Sequence, residues 1–238
     1  MCKKIFMIMV LTLSMSLAAS ARSWTLMDDY SEVPSMANPD GARMYGFYNT
    51  NDVHGRAFVT LWVHEEPAGY PIDHWVDDFG LNLQAGKFTG DWSSPWGIVA
   101  PAGDGFLTPA TIYESGMGWI APESMTVTVI AACYGIGTGS TTVRLVHISD
   151  CTHGIIETMP APHGTNTGCT GTRTILEQQS GVNAGSYLRD NPLVFTVTVD
   201  VNADDMVTLE CVSEGDIAGD VTGIIAFEII EQRSEPSS

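Results

Sequence analysis

The segment SMTVTVIAACY, residues 124–134, places Val127, Val129, Ala131 and Cys133 on one side of an extended chain. Apolar residues at every second position mark a strand with one face on a core. The β-branched residues suit it, because they pack well on a pleated surface. Working outward, STTVRLVHIS (140–149) sets Val143, Leu145 and His147 opposite Arg144, Val146 and Ile148. PLVFTVTVDV (192–201) alternates Val194, Thr196 and Thr198 with Leu193, Phe195, Val197, Val199 and Val201. Further runs are AFVTLWV (57–63), FLTPATIY (106–113), TRTILEQQ (172–179), DMVTLECVS (205–213) and GIIAFEII (223–230). The pattern predicts about nine to eleven strands. No strand–helix alternation appears, which argues against a parallel sheet. The predicted fold is all-β: an antiparallel two-sheet jelly-roll sandwich. GIGTG (135–139) and NADD (202–205) read as hairpin turns. Residues 64–105, dense in Gly, Pro, Trp and Asp, read as a loop-rich covering layer.

The chain opens with MCKK, then the apolar run IFMIMVLTLSMSLA, then a small-residue pattern ending near Ala21. That order predicts a secretory signal peptide over residues 1–21. A single domain is expected over 22–230, followed by a polar tail over 231–238. No later stretch reaches the roughly 20 apolar residues that span a bilayer. The expected location is therefore secreted or at the cell surface. Removal of Lys3 and Lys4 takes the net charge from −18 to −20 and leaves Lys87 with seven arginines, which read as scattered. Such a surface disfavours nucleic acid and anionic lipid, which need basic groups on their phosphates.

Four cysteines survive processing: Cys133, Cys151, Cys169 and Cys211. An even number in an exported chain implies disulfides, here with three connectivities open. Cys151–Cys169 is favoured because the two close one segment, CTHGIIETMPAPHGTNTGC (151–169), expected as a surface loop. Cys133–Cys211 is the complementary pair, and both lie in strand patterns.

The order of certain segments is distinctive. NPDGARMYGF (38–47), FLTPATIY, MGWIAPESMTVTVIA (117–131), VFTVTVDVNADDMVTLEC (194–211) and GDVTGIIAFEI (219–229) follow one another. This series resembles the jelly-roll, carbohydrate-binding-module-like domains of secreted and surface proteins of environmental bacteria. Trp119, Ala121 and Pro122 match the Trp-x-Ala-Pro that opens a central strand there, and Asp220, Thr222 and Gly223 match a late Asp-x-Thr-Gly. Gly118 stands where that pattern has arginine, and the segment 151–169 is additional. The resemblance implies a glycan or cell-surface component as partner. It also implies a structural calcium held by an acid near the first strand and one near the last. Asp28, Asp29, Glu32 and Asp220 are placed for that, and carboxylate oxygens suit the ion.

Other chemistry finds little footing. His153 and His163 inside the cysteine-bounded segment lack the close Cys and His pairs of structural zinc. No Gly-x-Ser-x-Gly elbow is present, and HEEPA after His64 lacks a zinc protease's second histidine. Adjacent acids such as Glu65–Glu66 and Asp77–Asp78 are expected by chance among 28 acids. Trp92 and Trp96, in GDWSSPWG, fall outside any core periodicity, and Tyr70 and Trp75 could extend them into a platform for sugar rings. The expectation is a non-catalytic binding domain, not an enzyme. A self-assembling surface subunit and a glycoside hydrolase are the alternatives.

Overall fold

The computed structural model describes residues 21–26, 43–49, 57–60, 63–65, 71–76, 84–93, 98–110, 113–158, 165–215 and 219–232. The expected signal peptide, 1–21, lies outside them except for Ala21. The described residues form sixteen strands and no helix. In chain order the first eight are β1 (Ser23–Thr25), β2 (Arg43–Asn49), β3 (Ala57–Thr60), β4 (Val63–Glu65), β5 (Ile72–Val76), β6 (Gln84–Phe88), β7 (Trp92–Ser93) and β8 (Val99–Ala100). The second eight are β9 (Gly105–Thr108), β10 (Tyr113–Ile120), β11 (Met125–Gly135), β12 (Thr141–Thr158), β13 (Thr165–Val182), β14 (Leu193–Val201), β15 (Met206–Ser213) and β16 (Thr222–Gln232).

The second eight define the fold. Hydrogen bonds order a front sheet as β14–β11–β16–β9 and a back sheet as β10–β15–β12–β13. The antiparallel pairs are nested: β9 with β16, β10 with β15, β11 with β14, β12 with β13. One long hairpin, closing between β12 and β13, is thus rolled so that most successive strands change layer. That is a jelly roll.

The rolling corrects three local expectations. GIGTG and NADD do not close hairpins: each carries the chain from one sheet to the other, between β11 and β12 and between β14 and β15. Turn residues report a reversal but not which layer receives the next strand. FLTPATIY is two strands, because Pro109 has no N–H for the ladder and the chain crosses layers after Thr108. The segment 151–169 is not a plain loop. Its ends continue β12 to Thr158 and start β13 at Thr165, so two 18-residue strands reach well past the sandwich.

β6, β5 and β4 extend the front sheet beyond β9, so part of the expected covering layer is sheet. β1 pairs with the second half of β16. In the back sheet β2 and β3 bridge from β10 to β13, closing a ring β10–β15–β12–β13–β3–β2. Four register shifts along β12–β13 make this possible, since each extra residue bends and twists the pair.

Val127, Val129, Ala131, Cys133, Phe227 and Ile229 from the front meet Met117, Trp119, Val143, Leu145, Val207, Leu209 and Cys211 from the back. All are fully buried. Each such aliphatic or aromatic side chain contributes roughly 1.5–3 kcal/mol. The Asp-x-Thr-Gly motif serves this closure. Thr222 bonds Thr141 at 2.8 Å across the layers. A side chain on Gly223 would put its Cβ 2.4 Å from the Tyr134 ring.

The Cys151–Cys169 bond is present, but Cys133 and Cys211 are free thiols. They lie on facing sheets with no bond between them. The Cys211 thiol is instead 3.1 Å from Thr222 Oγ1, and Cys133 pairs with Ile224, farther along β16. Burial pushes both thiols up, Cys211 to about 12. Native protein should therefore leave a thiol-specific dye unreacted at neutral pH. Once it is denatured, Cys133 and Cys211 should both react; if neither does, a second bond exists.

Candidate functional site

At one end of the sandwich the front sheet's outer face is covered. Phe88, Phe106, Ala100, Tyr134 and Ile136 form a second apolar cluster there. The β7–β8 hairpin lies on it, with Trp92 opposite Ala100 and Ser93 opposite Val99. Asp91 accepts a bond from the Ala102 N–H, and Gly103 N–H donates to the Phe88 carbonyl, so both feet of the hairpin are tied. Trp92 is half-buried. Its ring stacks on Phe88 with centroids 5.6 Å apart and planes 18° apart. Beside it Val99 is 54% exposed, a large apolar side chain facing solvent.

Asp104 anchors this end. Its buried carboxylate accepts from Tyr134 Oη at 2.9 Å and from Arg189 Nε and Nη2 at 2.7 and 3.0 Å. Burial raises the Tyr134 hydroxyl above its ordinary range, and Asp104 adds to the rise. Arg189 thereby fixes the 183–192 connection, which carries the exposed Leu188 at the same end.

Of the expected binding residues, Trp92 alone has a described side chain. Trp75 occupies the position on β5 opposite Ala85, and its side chain lies outside the described residues, as do Tyr70 and Trp96. Of the expected calcium ligands, Asp28, Asp29 and Glu32 lie outside them too. Asp220 is buried and accepts from Ser213 Oγ at 2.5 Å. His153 Nε2 donates to the Asp204 carbonyl oxygen at 2.8 Å. The sulfurs near it are joined to each other, so this trio is not a free ligand set.

A cluster invisible to the sequence reading lies inside the back-sheet ring. Two of the arginines read as scattered converge there with two glutamates from other strands. Arg144 Nη1 donates to Glu114 Oε1 at 2.5 Å, and Arg173 Nη2 to Glu114 Oε2 at 2.6 Å. Arg173 also bonds Glu210, whose other oxygen accepts from Thr208 Oγ1 at 2.7 Å. Burial pushes the Glu210 carboxyl up to about 7 against the pull of Arg173, and Glu114 adds to the rise. The only hint in sequence is a charge at the apolar-alternate position of a strong strand, as in VTLEC and TVRLV. These carboxylates face arginines inside the protein, not an open cleft, and so do not form the exposed pair a glycosidase needs.

No protein-family model matches the chain, and no curated protein matches it. Among solved structures, one described as "CBM4 structure and function" is 14% identical, with a TM-score of 0.34, over 71% of this chain and 92% of that one. Another, "Structure of CBM35 from Paenibacillus barcinonensis", is 13% identical, with a TM-score of 0.28, over 82% and 100% respectively. Likenesses this loose carry no argument; the nested strand order identifies the fold.

Proposed function

We propose that this chain is an exported, non-catalytic domain that binds a glycan through the Trp92 end of its front sheet. The observation behind the reading is the partly exposed indole on a tied hairpin, stacked on Phe88. A flat apolar face with polar neighbours, here Asp91 and Ser93, suits the C–H face and hydroxyls of a sugar ring. Phe88 holds the ring in place, so little side-chain entropy is lost on binding. The Cys151–Cys169 bond supports an oxidising, extracytoplasmic setting. Trp92→Ala should lower retention on a polysaccharide panel about tenfold, a loss of ~1.4 kcal/mol. A Trp92→Phe variant keeps the packing on Phe88 and should bind at an intermediate level. Wild type with no retention on any polysaccharide, or with retention equal in Trp92→Ala, defeats the reading.

Calcium binding belongs to the same proposal. β1 runs antiparallel to β16, with Leu26 N–H on the Phe227 carbonyl, so β1 points toward the end where Asp220 is buried. Added chelator should lower the melting temperature, and excess calcium should restore it. An unchanged midpoint excludes a stabilising ion.

A further inference from the structure

β1 begins at Ser23, one residue beyond the end of the small-residue triplet Ala19-Ser20-Ala21. Its first neighbour, Arg22, is gripped by one residue of the last strand. The Arg22 backbone N–H donates to Glu231 Oε2 at 3.2 Å, and Nε donates to the same oxygen at 3.0 Å. The Glu231 N–H returns a bond to the Arg22 carbonyl at 2.9 Å. Glu123 approaches the guanidinium from the other side. The guanidinium lies 5.7 Å from the Trp24 ring centroid, and Trp24 packs on the buried Trp119 at 5.0 Å. Two carboxylates therefore face a single arginine, and one of them, Glu231, also accepts from the nitrogen of the bond that precedes it.

We propose that Glu231 is a receptor for the N-terminal ammonium made when a leader-processing protease cuts between Ala21 and Arg22. The step rests on the export reading. It consumes one water: the C–N bond of the peptide breaks, the hydroxyl goes to the Ala21 carbonyl carbon, and the proton goes to the Arg22 nitrogen. That nitrogen takes up a further proton from solvent and changes from a neutral amide to a cation. It is already within hydrogen-bond distance of Glu231 Oε2, so a bond from a neutral donor to a carboxylate becomes an ion pair without rearrangement. Processing thereby strengthens the tie that holds β1 on β16, where Trp24 already packs on Trp119.

N-terminal sequencing of the exported protein should read Arg-Ser-Trp. Competitive acylation of the α-amine against pH should give a midpoint about one unit above the ordinary ~7.7–8.0. Glu231→Gln should return it to the ordinary range, and Glu123→Gln should shift it less. A chain that keeps its leader overturns the inference together with the export reading, and one that starts at another residue overturns the inference alone. An Arg22 terminus whose midpoint is the same in wild type and Glu231→Gln overturns capture by Glu231 and leaves export standing.

Discussion

Replacing Arg173 by methionine should cost about 4 kcal/mol at pH 8, because it leaves two buried carboxylates with one guanidinium. Glu114 would keep Arg144, but Glu210 is fully buried and would keep only the Thr208 hydroxyl. Acid should relieve most of the loss. In the wild type, burial holds Glu210 at about 7, above its ordinary 4.5, so between these values the folded chain binds a proton that the unfolded chain has released. Stability from this group is therefore complete below about 4.5 and falls as pH climbs toward 7. Arg173 pulls the carboxyl down, so without it Glu210 titrates higher still and the deficit widens with rising pH. Urea unfolding at pH 4.5 and 8 tests this. The variant should lie within about 2 kcal/mol of wild type at the lower pH, where neutral carboxyls cost less to bury. Adding Glu210→Met to the Arg173→Met variant should recover much of the loss at pH 8, leaving Glu114 with Arg144. A single variant within 1 kcal/mol of wild type at pH 8 means that the cluster does not stabilise the ring.

The same cluster shows where reading a sequence stops. Strands β11, β12 and β14 were legible because Val127, Leu145 and Phe195 each belong to an unbroken alternation set by one buried face. Periodicity is local, so it survives without knowledge of the partner strand. The convergence of positions 114, 144, 173 and 210 is not local. It depends on β10, β15, β12 and β13 being neighbours in that order, and on the bends that close the ring. The layer changes at GIGTG and NADD were hidden for the same reason: a turn signal is a property of four or five residues, whereas jelly-roll nesting is a property of eight strands.

The cysteines separate the two kinds of information cleanly. Cys151 and Cys169 are 18 residues apart and close one hairpin, so nearness in the chain was enough. Cys133 and Cys211 both face the core, as their strand patterns required, yet facing the same core from opposite layers does not bring two sulfurs together. Trp92 falls outside the periodic strands read from the sequence, yet its ring packs on a buried apolar cluster. Phe88, four residues earlier, lies under its ring because the chain turns back at Thr89 and Gly90. Most of the indole is consequently scaffold, and the remainder is available surface.

Removing the Cys151–Cys169 bond, as Cys151→Ala with Cys169→Ala, should cost about 3 kcal/mol from the entropy returned to an unfolded chain freed of so short a closed loop. For a domain of this size that lowers the melting temperature by roughly 6–12 °C. The bond also stands at a fault in the ladder. Ser149 pairs with Thr172 and Thr152 with Thr170, so β12 carries one more residue than β13 across the gap, and Asp150 there has a φ of 54°. Asp150 N–H bonds Asp205 rather than the neighbouring strand, and the disulfide supplies the missing cross-strand link. The two roles differ in kinetics. Chain entropy acts on the unfolded state, and the hairpin's contacts are close in sequence, so it should form before the folding barrier. The double variant should then fold more slowly, with most of the loss in the folding limb of its chevron. If the folding limb is unchanged and unfolding alone accelerates, the bond acts by holding the native ladder together at Asp150.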